Sequence, residues 1–121
     1  KNSPVAIGTY SQAVKVGGMV FTSGQIPLDP ITGDLVSEKF DKQVIQTLKN
    51  IEGILLERKC TIDNLIKLTV YLVDLSNFDI LNKVFESFFN KSSYPARSVV
   101  EVTKLPKNSQ IEIEAIFYDE E

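Results

Sequence analysis

The stretch Ile66-Lys67-Leu68-Thr69-Val70-Tyr71-Leu72 alternates apolar and polar residues, with β-branched and aromatic side chains prominent, and stands between two segments of helical period. A strand flanked on both sides by amphipathic helices cannot belong to an all-helical bundle or an all-β sandwich. It predicts Ile66, Leu68, Val70 and Leu72 on one covered sheet face. Upstream, Phe40, Val44, Leu48, Ile51 and Leu55 recur every three or four residues, which predicts a long helix over 37–59. Downstream, Phe78, Leu81, Phe85 and Phe88 or Phe89 form the stripe of a second helix over 77–89, with Pro95 barring its continuation.

The remaining strands lie outside this centre. Ala13–Val16 and Met19–Ser23 flank Gly17-Gly18, a dipeptide that tolerates the positive φ of a tight hairpin. The run from Pro27 to Asp34, with two prolines and a glycine, reads as an ordered loop. Arg97–Val102 and Ile111–Tyr118 are separated by Leu105-Pro106-Lys107-Asn108-Ser109, which suits an antiparallel hairpin. The order is ββαβαββ, an α+β architecture with two helices packed on one face of a mixed sheet. With 121 residues, the whole of 1–121 reads as a single domain.

Composition narrows the chemistry. The chain has no histidine, so it cannot run a Ser-His-Asp or Cys-His relay, and the commonest zinc sites lack their ligands. No metal and no cofactor is expected, since the Thr-Ser-Gly-Gln stretch lacks the glycine spacing and lysine of a phosphate-cradling loop. The lone Cys60 excludes an internal disulfide and, with no signal peptide, points to a cytoplasmic home, or an organelle if a targeting segment preceded Lys1. A formal charge of -3 weighs against general nucleic-acid affinity, and Lys1, Lys15, Lys91, Lys104 and Lys107 form no evident basic stripe. No apolar run is long enough for a bilayer.

Period two in the last strands separates Ser98, Val100 and Val102 from Arg97, Val99 and Glu101, and Ile111 and Ile113 from Glu112 and Glu114. With the helices over Val100, Ile111 and Ile113, the opposite face is expected to carry Arg97, Glu112, Thr69, Tyr71 and Val99. Such a mixed face commonly meets another subunit. Arg97 alone reads as a solvated arginine or as a rigid fork for a carboxylate. Glu112 has the same bland alternative, but without histidine a carboxylate is among the few groups able to orient water. Tyr10 reads as a packing aromatic or a site residue, and Ser23 has no nearby base.

The blocks Ile7-Gly8-Thr9-Tyr10-Ser11-Gln12-Ala13, Thr22-Ser23-Gly24-Gln25-Ile26-Pro27, Pro95-Ala96-Arg97-Ser98 and Ile111-Glu112-Ile113-Glu114-Ala115 resemble the Rid family of reactive imine and enamine deaminases, RidA type, over the whole chain. The resemblance implies a chorismate-mutase-like fold, a homotrimer with clefts between subunits, and cofactor-free hydrolysis of 2-aminoacrylate and related 2-imino acids to 2-keto acids and ammonia. It implies that Arg97 grips the substrate carboxylate and Glu112 orients the attacking water. Tyr10 would line the cleft, Ser23 and the Gly24 backbone would contact the substrate, and Asn82 would be a further cleft residue. The family often has cysteine where Val99 stands, which leaves only the backbone carbonyl there. The stretch from Phe89 to Arg97 is also about two residues shorter than in some members. Rival readings are a single-strand ribonuclease or translation inhibitor, and a non-catalytic metabolite-binding trimer.

Overall fold

The computed structural model describes residues 10–90 and 94–120. Its elements are β1 (Ala13–Val16), β2 (Met19–Thr22), α1 (Phe40–Glu57), β3 (Leu65–Leu72), α2 (Phe78–Phe89), β4 (Ala96–Glu101) and β5 (Ile111–Tyr118). The sheet runs β1-β2-β5-β3-β4. β5 pairs antiparallel with both β2 and β3, and β4 pairs parallel with β3, so the sheet is mixed as expected. Both helices lie on one sheet face, as expected, packed against each other with α1 against β5. The core joins Val44, Leu48, Ile51 and Leu55 of α1 and Leu81, Phe85 and Phe89 of α2 to Leu68, Val70 and Leu72 of β3 and Ile111, Ile113 and Phe117 of β5.

Two buried polar side chains tie the long loop before α1 to the helix. Asn50 Nδ2 donates to the Ile26 and Leu28 carbonyls at 3.2 and 2.9 Å, and Gln43 Nε2 donates to the Ser37 carbonyl at 2.8 Å. Gln43 Oε1 also accepts from the Gln110 N–H at 2.9 Å, which anchors the entry to β5. Buried amides with all their partners rigidify what they join. At the first hairpin Gly17 and Gly18 adopt φ of 56° and 88°, the left-handed values that a two-residue turn demands.

Four sequence expectations need correction. β4 and β5 are not a hairpin: β3 lies between them, and the connection crosses it after a turn where Lys107 and Asn108 take φ of 57° and 56°. α2 ends at Phe89 as expected, but what stops it is Asn90, whose φ of 53° gives a left-handed cap, and not Pro95 five positions on. Ile66 is not on the covered face. A bulge between Leu65 and Lys67 leaves it 39% exposed, and Leu65 turns inward opposite Phe117 instead.

The fourth correction is the parity of β4. Arg97 pairs with buried Leu68 and Val99 with buried Val70, so both turn to the helix side, whereas Val100 pairs with Tyr71 on the open face and is 43% exposed. A slip of one residue inverts every side chain of a strand. The expected face holding Arg97 and Val99 together with Glu112 and Tyr71 therefore does not exist in one chain.

No helix among the described residues is long and apolar enough to cross a membrane. The β4 parity is tested by charge insertion: Val99→Asp should cost about 2–4 kcal/mol in urea unfolding, as burying a carboxylate among apolar groups does. Val100→Asp should cost less, and the reverse order would overturn the parity.

Candidate active site in two halves

The first half-site is built on α2 and the start of β4. Pro95 leads into β4, and its pairing with β3 turns Arg97 toward α2, where the guanidinium lies 5.0 Å from the Phe85 ring centroid and 5.5 Å from that of Phe78. Asn82, Phe85, Glu86, Tyr94 and Pro95 line a cleft of about 330 Å³ with it. Burial lowers the Arg97 pKa from its ordinary value, though a guanidinium stays charged. No hydrogen-bonding or ion-pair partner faces it among the described residues. A cation stacked on two rings, partly stripped of water and with its donors unspent, is prepared for an anion.

Val99 contributes through its backbone. The Val102 N–H donates to the Leu72 carbonyl at 2.8 Å, so the alternation of strand backbone groups turns Val100 and Ser98 to β3 as well. The N–H and C=O of Arg97 and Val99 then face the free edge of the sheet, beside the cleft.

The second half-site lies across the sheet. Ile111 and Ile113 point into the core, which turns Glu112 to the open face, opposite Tyr71. Phe21 pairs with Ile116 but Gln25 pairs with Ile113, so one extra residue bulges from the Thr22–Gly24 segment. Reciprocal bonds between Gln25 and Ile113, at 2.8 and 2.9 Å, hold that bulge against β5. Gly24 then sits directly on Glu112: a Cβ there would lie 2.9 Å from Glu112 Cγ and overlap its carboxylate. Only glycine admits so close an approach. The Ser23 hydroxyl donates to the Ser11 carbonyl at 2.6 Å and the Ser23 N–H to the Gln12 carbonyl at 2.9 Å, which brings the chain near Tyr10 alongside. Tyr10 is 52% exposed.

Burial, and then the negative charge of Glu114, raise the Glu112 pKa above the ordinary carboxyl value. Burial, then the Glu114 carboxylate and less so Glu112, raise the Tyr71 pKa above its ordinary value. Around these groups the open face is apolar, with Val14, Val16, Phe21, Val100 and Tyr118 exposed.

The expected site residues thus fall into two groups, Asn82, Arg97 and Val99 on one, Tyr10, Ser23, Gly24 and Glu112 on the other. Ile7, Gly8 and Thr9 of the first sequence block, with Lys1 and Lys91, lie outside the described residues, as does 91–93 in the shortened stretch. Phe78, Phe85, Glu86 and Tyr94 were not expected at the site. The two phenylalanines read only as core stripe, and nothing in the sequence pattern singled out Glu86 or Tyr94.

The endoribonuclease L-PSP family model matches residues 1–118. A Salmonella typhimurium protein named 2-iminobutanoate/2-iminopropanoate deaminase is 46% identical over 118 residues, 96% of this chain and 91% of that one. The chain belongs to the Rid family, also called endoribonuclease L-PSP. Among solved structures, a conserved Rid family protein from Yersinia pestis superposes with a TM-score of 0.93 at 44% identity, covering 97% of this chain and 93% of that one. Escherichia coli TdcF with bound serine gives 0.91 at 41% identity over the same shares. Such likeness across nearly all of both chains shows that this chain has the Rid fold.

The raised Glu112 pKa has a stability consequence. A carboxyl that holds its proton more tightly when folded loses stability as pH rises through that window, and the deficit persists at neutral pH. Glu112→Gln should therefore raise the thermal unfolding midpoint at pH 7, and the gain should vanish near pH 3. An equal gain at both pH values would show that ionisation is not its cause.

Proposed function

We propose that this Rid protein is a 2-iminobutanoate/2-iminopropanoate deaminase that hydrolyses 2-aminoacrylate-derived and related 2-imino acids without a cofactor. The observation that carries the reading is Arg97: partly buried, stacked between Phe78 and Phe85, and without a counter-ion among the described residues. A 2-imino acid supplies that counter-ion in its carboxylate. The Salmonella relative's name and the serine held by TdcF, itself a carboxylate, support the same class.

The homotrimer belongs to this proposal. Arg97 and Glu112 lie on opposite sheet faces of one chain, so a single copy cannot apply both to one substrate. The apolar open face around Glu112 suits burial against another copy, which would set one subunit's Tyr10, Ser23, Gly24 and Glu112 before the next subunit's Arg97, Asn82 and Val99 carbonyl.

In that cleft Arg97 fixes the carboxylate by two-point contact and the Val99 carbonyl accepts from the iminium N–H. The oxygen of a water bonds to the imine carbon while its proton passes to Glu112. Glu112 then returns the proton to nitrogen, the carbon–nitrogen bond breaks and ammonia leaves as the hydroxyl passes its proton to the Glu112 carboxylate and the carbonyl forms; that proton departs with the ammonia as ammonium. A carboxyl with a raised pKa suits both halves of this exchange near neutral pH.

The ribonuclease reading named by the family model finds less support, since the chain has no histidine and the open face presents Glu112 and Glu114.

Release of 2-keto acid and ammonia from imines generated in situ tests the reading. Arg97→Ala and Glu112→Ala should each lose about 100-fold or more in turnover. Refolding the two inactive variants together at equal concentration should restore roughly a quarter of the clefts, as random assembly of shared sites requires. No recovery from the mixture would place both residues in the same subunit's site or outside catalysis.

A further inference from the structure

The Arg97 cleft also carries a charge pattern that the hydrolysis itself does not need. Among the described residues its lining holds one cation, Arg97, and one carboxylate, Glu86. Glu86 stands one helical turn after Asn82 on the same side of α2, and no ion pair faces it among the described residues. Lys83, three residues before Glu86, lines a separate groove with Asp41, Ile45 and Ile80 and forms no ion pair with Glu86 among the described residues. Glu86 occupies the last turn of the helix, where no basic residue stands and the backbone carbonyls already present negative charge. Apart from Asn82, the rest of the described wall is aromatic or apolar: Phe85, Pro95, and Tyr94, whose ring is 5.8 Å from that of Phe89.

We infer that Glu86 is a specificity-determining residue that restricts the cleft to 2-imino acids with one carboxylate and an uncharged side chain, and turns away those derived from dicarboxylic amino acids. The inference rests on the deaminase reading above. A substrate's first carboxylate takes up the single guanidinium. Among the described lining residues a second carboxylate has no cation left to meet, faces Glu86 and the carbonyl end of α2, and must shed water against aromatic walls. A small apolar side chain meets none of these penalties. Glu112, brought by the neighbouring subunit in the proposed assembly, adds negative charge to the same cleft and acts in the same direction.

The test compares kcat/KM for 2-iminobutanoate and 2-iminoglutarate, each generated in situ by an amino-acid oxidase, across ionic strengths. Wild type should favour the monocarboxylate by about tenfold or more, a like-charge effect across a partly solvated cleft, and added salt should narrow the ratio. Glu86→Lys should narrow it by about tenfold at low salt, chiefly through KM for the dicarboxylate, with Glu86→Gln intermediate. Equal use of both substrates by wild type, or a ratio that neither salt nor Glu86→Lys moves, would overturn the inference. If neither imine is turned over, the deaminase reading fails by itself, and calorimetric binding of 2-ketobutyrate against 2-oxoglutarate then reads the charge preference. Equal affinities there would overturn it, and a preference for 2-ketobutyrate that Glu86→Lys abolishes would sustain it.

Discussion

The alternation along β5 holds the rest of the molecule in place. Ile111, Ile113, Ala115 and Phe117 face the helices, almost wholly buried, and this leaves Glu112 and Glu114 no place but the open face. Because β5 lies at the centre of the sheet, paired on both sides, its register is transmitted to everything else. On one side the Gln25–Ile113 bridge sets Gly24 on the Glu112 carboxylate; on the other, the pairing of β3 with β5 fixes the face of Leu68, and Leu68 fixes the face of Arg97. A shift of one residue in β5 would move the acid into the core and, through β3, turn the arginine out.

The two functional charges are left uncompensated in opposite ways. Arg97 is covered by the aromatic rings of α2, which attract its charge yet accept none of its hydrogen bonds in full. Glu112 is covered by the Ser23–Gly24 bulge and lies near a second carboxylate instead of a cation. Neither arrangement favours the folded chain, and one sheet thickness separates them, so the chain cannot relieve one with the other. In the proposed assembly the relief comes from outside, with substrate and water between an arginine and a glutamate of neighbouring copies. On that proposal, affinity for an anion would come from withholding the arginine's natural partner.

Burial patterns were legible in the sequence wherever one face of an element is apolar and the other is not. α1, α2, β3 and β5 meet that condition and lie within a few residues of their expected bounds. β4 does not: Val99 and Val100 are both apolar, so alternation alone cannot say which turns inward, and the pairing with β3 decides. The β4–β5 connection was ambiguous for a related reason, since a turn with Pro106 and Asn108 serves a hairpin and a strand-crossing loop equally well. Of the proposed site, Arg97, Glu112 and Gly24 stood out through motif blocks and Asn82 only through the family resemblance, with no periodicity to mark them. Phe78 and Phe85 answer to the same helical stripe as the core, and only the position of the guanidinium distinguishes a ring that clamps it from one that packs.

Val99 shows how the corrected parity changes a chemical argument. Its side chain turns toward the helices and packs against the core beside Val70, while its N–H and C=O face the free edge by the Arg97 cleft. Side chain and backbone therefore face different surroundings. A cysteine at this position, as in other Rid proteins, would direct its thiol to the apolar interior, where burial favours the neutral form over the nucleophilic thiolate. Valine supplies the same packing and leaves the carbonyl where it was, so the substitution falls on the face that stabilises the fold and spares the edge on which the proposed chemistry depends.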